Sequence, residues 1–157
     1  VADKLKDIPN ILFYIVGEGP DKQRIESIRK NKNLTNVMIY PAQKRETMPI
    51  LISAADICTV FLSSQPIFEI ALPTKFYEYL ACSKPLIGIC RGELADIITK
   101  NQIGEKCEIG NCEQLYQIII NMTNSHEITM YERNSKLLLR QFTISELSTL
   151  FREIVTV

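Results

Sequence analysis

Short apolar runs alternate along the chain with longer stretches in which apolar positions recur every three or four residues. "ILFYIV" (11–16), "VMIY" (37–40), "ICTVFL" (57–62), "LIGIC" (86–90) and "EKCEI" (105–109) have strand length. The first has no charged residue, which predicts a strand buried on both faces. "PDKQRIESIRKN" (20–31) puts Ile25 and Ile28 on one stripe with charges elsewhere, the pattern of a surface helix. Pro20 stands where a first helical residue is favoured. "ETMPILISAA" (46–55), residues 74–82, residues 93–100 and "CEQLYQIIINM" (112–122) predict further helices. The tail from His126 onward predicts one or two more. A longer loop, "SSQPIFEIALP" (63–73), separates the third strand from the helix at residue 74.

This strand–helix alternation predicts a parallel sheet with helices on both faces. With right-handed crossovers it is a Rossmann-like, three-layer α/β/α domain. No repeat, low-complexity tract or linker divides the chain, so residues 1–157 are expected to form a single domain. Ligands of such sheets sit at the carboxyl ends of the strands, where loops lead into helix N-termini. The loops to examine are therefore "GEGP", "PAQKRE", "SSQPIFEIALPTK" and "RGE", which follow residues 16, 40, 62 and 90.

Composition narrows the function classes. Eighteen basic residues balance eighteen acidic ones. That balance argues against a nucleic-acid partner, which needs a basic field. No apolar run reaches the roughly 18 residues of a membrane span. The opening "VADKLKDIPN" has no apolar core of the kind a secretory signal carries, so a cytoplasmic protein is expected. The five cysteines follow no CxxC spacing, and Cys58, Cys90 and Cys107 lie in apolar runs, which predicts reduced core thiols. The single histidine, His126, lies in a polar stretch and reads as a surface residue. A His/Cys metal site would have to draw on scattered residues, so neither a metal nor another cofactor is expected.

Two loops carry candidate chemistry. In "VGEGP" (16–20), Gly17 and Gly19 flank Glu18. The glycines permit a sharp turn and close approach of backbone N–H groups to a ligand ahead of a helix N-terminus. The pattern is not a full GxGxxG, since Lys22 occupies its third glycine position, and such a turn equally serves only to join a strand to a helix. In "ALPTKFYEYLACSKPL" (71–86), Pro73 ends the loop and Thr74 stands where an N-cap is wanted. Thr74, Lys75 and Glu78 cluster at the start of the helix, with Phe76, Tyr79 and Leu80 as its packing stripe. Helix-tip N–H groups, a hydroxyl and an ammonium suit a phosphate or diphosphate. A carboxylate one turn further on suits a vicinal diol such as a ribose. An ordinary capped helix with a solvated Lys–Glu pair has the same spacing.

The ordered series "VGEGP", "NVMIYP", "SAADICTVFLS", "PTKFYEYLACSKPLIG", "GELADII" and "IGEKCEIGNCEQLYQII" resembles the C-terminal half of GT-B glycosyltransferases of the GT4 type. It is most similar to members that build bacterial surface polysaccharides such as capsule. The likeness covers about residues 10–122. Its most specific part is "PTKFYEYLACSKPL", similar to a P-S/T-K-x-x-E-Y-x-A-x-G-K/R-P signature. The resemblance implies a domain that binds the nucleotide-diphosphate sugar donor. It implies donor contacts from Gly17, Glu18, Gly19, Pro73, Thr74, Lys75, Gly92 and Glu93, with Glu78 on the ribose. The family commonly has a glutamate eight residues before the ribose-binding one. Here that position is Ile70, and Glu69 stands nine before, a spacing some polysaccharide-type members share. The resemblance makes Glu69 and Lys75 the catalytic candidates. Ser83 stands where the family usually has Gly, and lacks its freedom at positive φ. No D-x-D occurs, in keeping with metal-independent GT-B enzymes.

The resemblance also implies retention of anomeric configuration, and a saccharide or lipid-linked acceptor held by an N-terminal domain that this chain lacks. It implies a preceding central strand with an Arg and a Lys facing the leaving diphosphate. It allows peripheral association of the full-length protein with the inner face of a membrane. Two rivals remain: a nucleotide-sugar epimerase half, which needs acid/base residues not located here, and a non-catalytic Rossmann-like nucleotide-binding module. An NAD module would show an acidic residue about 20 positions after the Gly-rich turn, where the chain reads "NVMIYPAQ". In the transferase reading, Gly17, Gly19, Lys75, Glu78 and Glu93 are expected on the rim of one cleft.

Overall fold

The computed structural model describes residues 1–142 of the 157-residue chain. Strands and helices alternate: β1 (Phe13–Val16), α1 (Lys22–Asn31), β2 (Val37–Tyr40), α2 (Met48–Ala54), β3 (Cys58–Phe61), α3 (Thr74–Ala81), β4 (Leu86–Ile89), α4 (Glu93–Lys100), β5 (Gly104–Cys107), α5 (Cys112–Asn124) and α6 (Glu127–Gln141). All pairings are parallel, as the Rossmann-like reading expects. Any second helix in the predicted tail lies outside the described residues.

The expected sheet is divided. β1 pairs with β2 from Phe13 against Val37 to Val16 against Tyr40, and β3, β4 and β5 form a second sheet in that order. The two sheets nonetheless share a core. Phe13 of β1 and Ile57, just ahead of β3, pack with Ile87 and Ile89 of β4, Cys107 of β5, and Ile119 and Met122 of α5. On the other face, Val60, Phe76, Leu80, Leu86, Leu94, Ile98 and Leu138 join β3 and β4 to α3, α4 and α6. β4 lies between two strands and is buried at all four positions.

The strand at 11–16 is shorter than expected and is not buried on both faces. Tyr14 is 58% exposed and Ile15 40%. A strand is covered on both faces only where packed elements lie over both. Here α1 buries none of its residues, β1 pairs only with β2 among the described residues, and Tyr14 instead stacks on exposed Tyr40, ring centroids 5.9 Å apart. α1 itself begins at Lys22 after Asp21, so Pro20 belongs to the preceding turn. Of the thiols, Cys58, Cys90 and Cys107 are buried as expected, whereas Cys112, at the head of α5, is exposed. Burial pushes the Cys58 thiol up to about 12 and that of Cys90 up to about 11. His126 is exposed, one residue ahead of α6.

Candidate functional site

The carboxyl ends of β3 and β4 lead into α3 and α4. The loop after β3 starts at Leu62, whose N–H donates to the carbonyl of Ile89 at 3.0 Å. It then forms a short 3-10 helix at Pro66–Glu69, which the reading of 63–73 as plain loop missed. The signal was Pro66, whose fixed φ suits the first position of a helical turn.

α3 opens differently from the sequence expectation. Pro73, not Thr74, is the N-cap, and no side chain caps the helix. Pro73 is extended (φ −71°, ψ 150°) and its carbonyl accepts from the Phe76 N–H at 2.9 Å. The pyrrolidine ring holds this φ, so the chain enters the helix with no need of a hydroxyl. Thr74 becomes the first helical residue and its side chain caps nothing. Phe76 and Leu80 are fully buried, with Tyr79 packed beside them. At 100° per residue, that burial turns Thr74 and Glu78 to the opposite side of the helix, one turn apart. Thr74 and Lys75 are exposed and Glu78 is half-buried. Burial, followed by the fields of Cys58 and Glu78, pushes the Tyr79 hydroxyl up to about 12.

On the next loop Arg91 is exposed, Gly92 is the N-cap of α4 and Glu93 its first residue. Gly92 has φ 70° and ψ −146°. A Cβ built on it would lie 2.6 Å from the Cα and carbonyl carbon of Glu69, and closer still to the carbonyl oxygen. The structure therefore brings the Glu69 turn directly onto the tip of α4. The side chains of Glu69, Thr74, Lys75, Glu78, Arg91 and Glu93 make no hydrogen bond or ion pair among the described residues.

The loops after β1 and β2 form a second group. The Gly17 N–H donates to the Tyr40 carbonyl at 3.1 Å. Lys22 forms an ion pair with Glu18 at 2.7 Å. Its hydrogen bond, aided by the Ala42 backbone amide, holds the Glu18 carboxyl below the usual carboxylate range. Glu18 is thus already partnered, whereas Glu69, Glu78 and Glu93 have no such partner among the described residues. A side chain at Gly17 or Gly19 would meet no atom within 4 Å, which leaves their backbone open to approach. No hydrogen bond or ion pair among the described residues links Gly17, Glu18 or Gly19 to Lys75, Glu78 or Glu93. Gly17 and Gly19 thus stand on the loop after β1, while Lys75, Glu78 and Glu93 stand at the starts of α3 and α4. No group of three or more His, Cys, Asp and Glu side chains that could hold a metal occurs among the described residues, nor does a helix long and apolar enough to cross a membrane. A shallow cavity of about 270 Å³ lies at the far end of α4, lined by Lys100, Asn101, Gln102 and Asn134, away from all these loops.

A family model described as "Glycosyl transferases group 1" matches residues 1–136. The chain is 32% identical over 80 residues to the colanic acid biosynthesis glycosyl transferase WcaI of Escherichia coli K12, covering 51% of this chain and 19% of that protein. It is 24% identical over 149 residues to the N-acetyl-alpha-D-glucosaminyl L-malate synthase of Bacillus anthracis, covering 91% of this chain and 38% of that one. Among solved structures, Anabaena Alr3699/HepE in complex with UDP-glucose superposes with a TM-score of 0.75 at 18% identity, over 99% of this chain and 43% of that one. The chain thus spans less than half the length of these relatives.

Proposed function

Since the chain belongs to the group 1 glycosyl transferases, we propose that it binds the nucleoside diphosphate of a nucleotide sugar at the carboxyl ends of β3 and β4. It would serve as the donor-binding domain, residues 1–157, of an enzyme that moves the sugar to a saccharide or lipid-linked acceptor. The observation that carries this reading is the tip of α3. There, Thr74, Lys75 and Glu78 face away from the core, and none is committed to another group among the described residues. The free N–H groups at the starts of α3 and α4 and the Lys75 ammonium suit the diphosphate. Glu78, one turn along, can accept both hydrogens of a ribose diol. A carboxylate repels phosphate, so the diphosphate belongs at the helix tip and the ribose beside Glu78.

As the sugar leaves, negative charge grows on the departing diphosphate, and fixed cations and helix-tip N–H groups stabilise it most at that moment. Lys75 supplies that charge in this chain. Glu69, on the neighbouring turn, is suited to face the positive charge that develops on the anomeric carbon. The reaction retains anomeric configuration in this reading and needs no metal. The name of WcaI supports a place in polysaccharide biosynthesis, and the acceptor would be met at the inner face of the membrane. Acceptor positioning is worth roughly 7–11 kcal/mol of barrier. The chain by itself should therefore bind donor without transferring it.

Calorimetric titration with UDP, GDP, ADP and CMP tests the reading. UDP comes first because the HepE complex holds UDP-glucose. One nucleoside diphosphate should bind better than CMP. Glu78→Gln should weaken that ribonucleotide more than its 2′,3′-dideoxy analogue. Equal losses for the two ligands would make Glu78 a structural residue, and no binding of any diphosphate would end the reading.

A further inference from the structure

We propose that Gly92 is a positioning residue for Glu69, setting where that carboxylate stands over the tip of α4. The proposal rests on the donor-binding reading above. Residues 63–71 are held at their two ends, where Leu62 and Leu72 pack against the core. Between those ends Phe68 is half-buried and the other side chains of 63–70 are exposed. The Phe68 N–H donates to Gln65 within the turn at 2.9 Å, and no hydrogen bond among the described residues ties 63–71 to the rest of the protein. Ile67 and Ile70 point outward, Ile70 being 72% exposed. The contact recorded in the middle is that of Glu69's backbone against the bare Cα of Gly92.

Two independent constraints make this a glycine. Its φ of 70° with ψ of −146° lies in a region open essentially to glycine alone. Any Cβ would also collide with Glu69's backbone, which cannot swing aside as a flexible side chain could. A larger residue must therefore lift the end of the 3-10 helix, and Glu69 with it. Lys75 and Glu78 sit on α3, anchored by buried Phe76 and Leu80, and the first turn of α4, whose N–H groups also face the diphosphate, is held by buried Leu94 and Ala95. A side chain at position 92 should accordingly damage the chemical step and leave the nucleotide's grip largely intact.

The test uses the full-length transferase and compares Gly92→Ala, Glu69→Gln, the double variant and Gly110→Ala. Gly110 serves as the control. It also has positive φ, 85°, but a Cβ there meets nothing within 4 Å, and it lies on the β5–α5 turn. Gly92→Ala should lower kcat about 100-fold, the scale of an ångström misplacement, with KM for the nucleotide sugar within about threefold. Gly110→Ala should leave both unchanged. If Gly92 acts through Glu69, the double variant should be no slower than Glu69→Gln alone. Hydrogen exchange of segment 63–73 should quicken in Gly92→Ala.

Should that variant fail to fold, Pro66→Gly loosens the same turn from its exposed end and should lower kcat in the same way. A fully active Glu69→Gln would dispose of Glu69's role and so end the proposal, whereas the donor-binding reading, carried by the tip of α3, falls only if no nucleoside diphosphate binds. A slow Glu69→Gln beside a Gly92→Ala or Pro66→Gly enzyme with kcat within about threefold of the parent would overturn the proposal alone. So would additive losses in the double variant, or a Gly92→Ala defect confined to KM.

Discussion

At the scale of single residues, Lys75 is the cation on α3's first turn, and no carboxylate among the described residues neutralises it. A charge-assisted hydrogen bond contributes roughly 1.5–3 kcal/mol, so Lys75→Ala should weaken binding of the nucleoside diphosphate about 10- to 150-fold. It should weaken the matching nucleoside much less, since that ligand carries no phosphate. Equal weakening of both, by calorimetry, would remove Lys75 from the diphosphate site. Ser83 offers a different kind of test. It ends α3 in the left-handed conformation, φ 55°, and the Lys84 N–H donates back to the Tyr79 carbonyl at 3.0 Å. A non-glycine residue pays about 1–2 kcal/mol there, and glycine's greater chain entropy returns part of the gain. Ser83→Gly should therefore stabilise the protein by about 0.5–1 kcal/mol in denaturant unfolding. A variant no more stable than the parent would mean that the turn tolerates serine without strain. The strain at this position was legible in the sequence because "ACSKP" departs from a glycine pattern. The role of Gly92 was not, because a close approach of two backbones leaves no mark in either stretch read alone.

At the scale of elements, legibility followed the clarity of the apolar period. The helix expected at 93–100 coincides with α4, whose Leu94, Ala95 and Ile98 fill one buried face. α6 was visible only as a vague helical tail. Its buried positions are Tyr131, Ser135 and Leu138, so the middle of its inward stripe is polar. The Ser135 hydroxyl donates to the Lys84 carbonyl at 3.4 Å, a tertiary partner that no local pattern announces. α6 nevertheless supports the site from behind. Leu138 lies in the core with Phe76 and Leu80, and Phe142 meets the Phe76 ring edge-on at 6.0 Å. Leu138→Ala should cost about 2–5 kcal/mol, seen as a lower denaturant midpoint with the slope unchanged. A loss below about 1 kcal/mol would mean that α6 packs loosely and that α3 stands without it.

At the scale of the whole molecule, the alternation of strands and helices was legible and the division of the sheet was not visible in any one segment. Apolar runs identify strands, but pairing partners depend on which strand lies beside which. β1 read as a doubly covered strand because its composition suits one, yet among the described residues it pairs with β2 on one side and has no partner on the other. β3 likewise pairs only with β4 among the described residues, and Phe61 at its end is 65% exposed. An edge with unpaired N–H groups opens easily, because its amides lose little when they turn to water. β4 has the opposite situation, with a ladder on each side and burial throughout. The 157-residue chain should therefore show a gradient in amide hydrogen exchange. Protection should be greatest in β4, with β1 and β2 opening several hundredfold faster, on the order of 3–4 kcal/mol apart in local stability. The candidate site lies mostly on the better protected sheet, so nucleotide should bind through residues 62–93 even while residues 13–40 open and close. Adding the nucleoside diphosphate should slow exchange at the start of α3 and in the β4–α4 turn and leave β1 nearly unchanged. Uniform exchange across all five strands would show that the two sheets open as one unit. In that case the division of the sheet would carry no energetic weight.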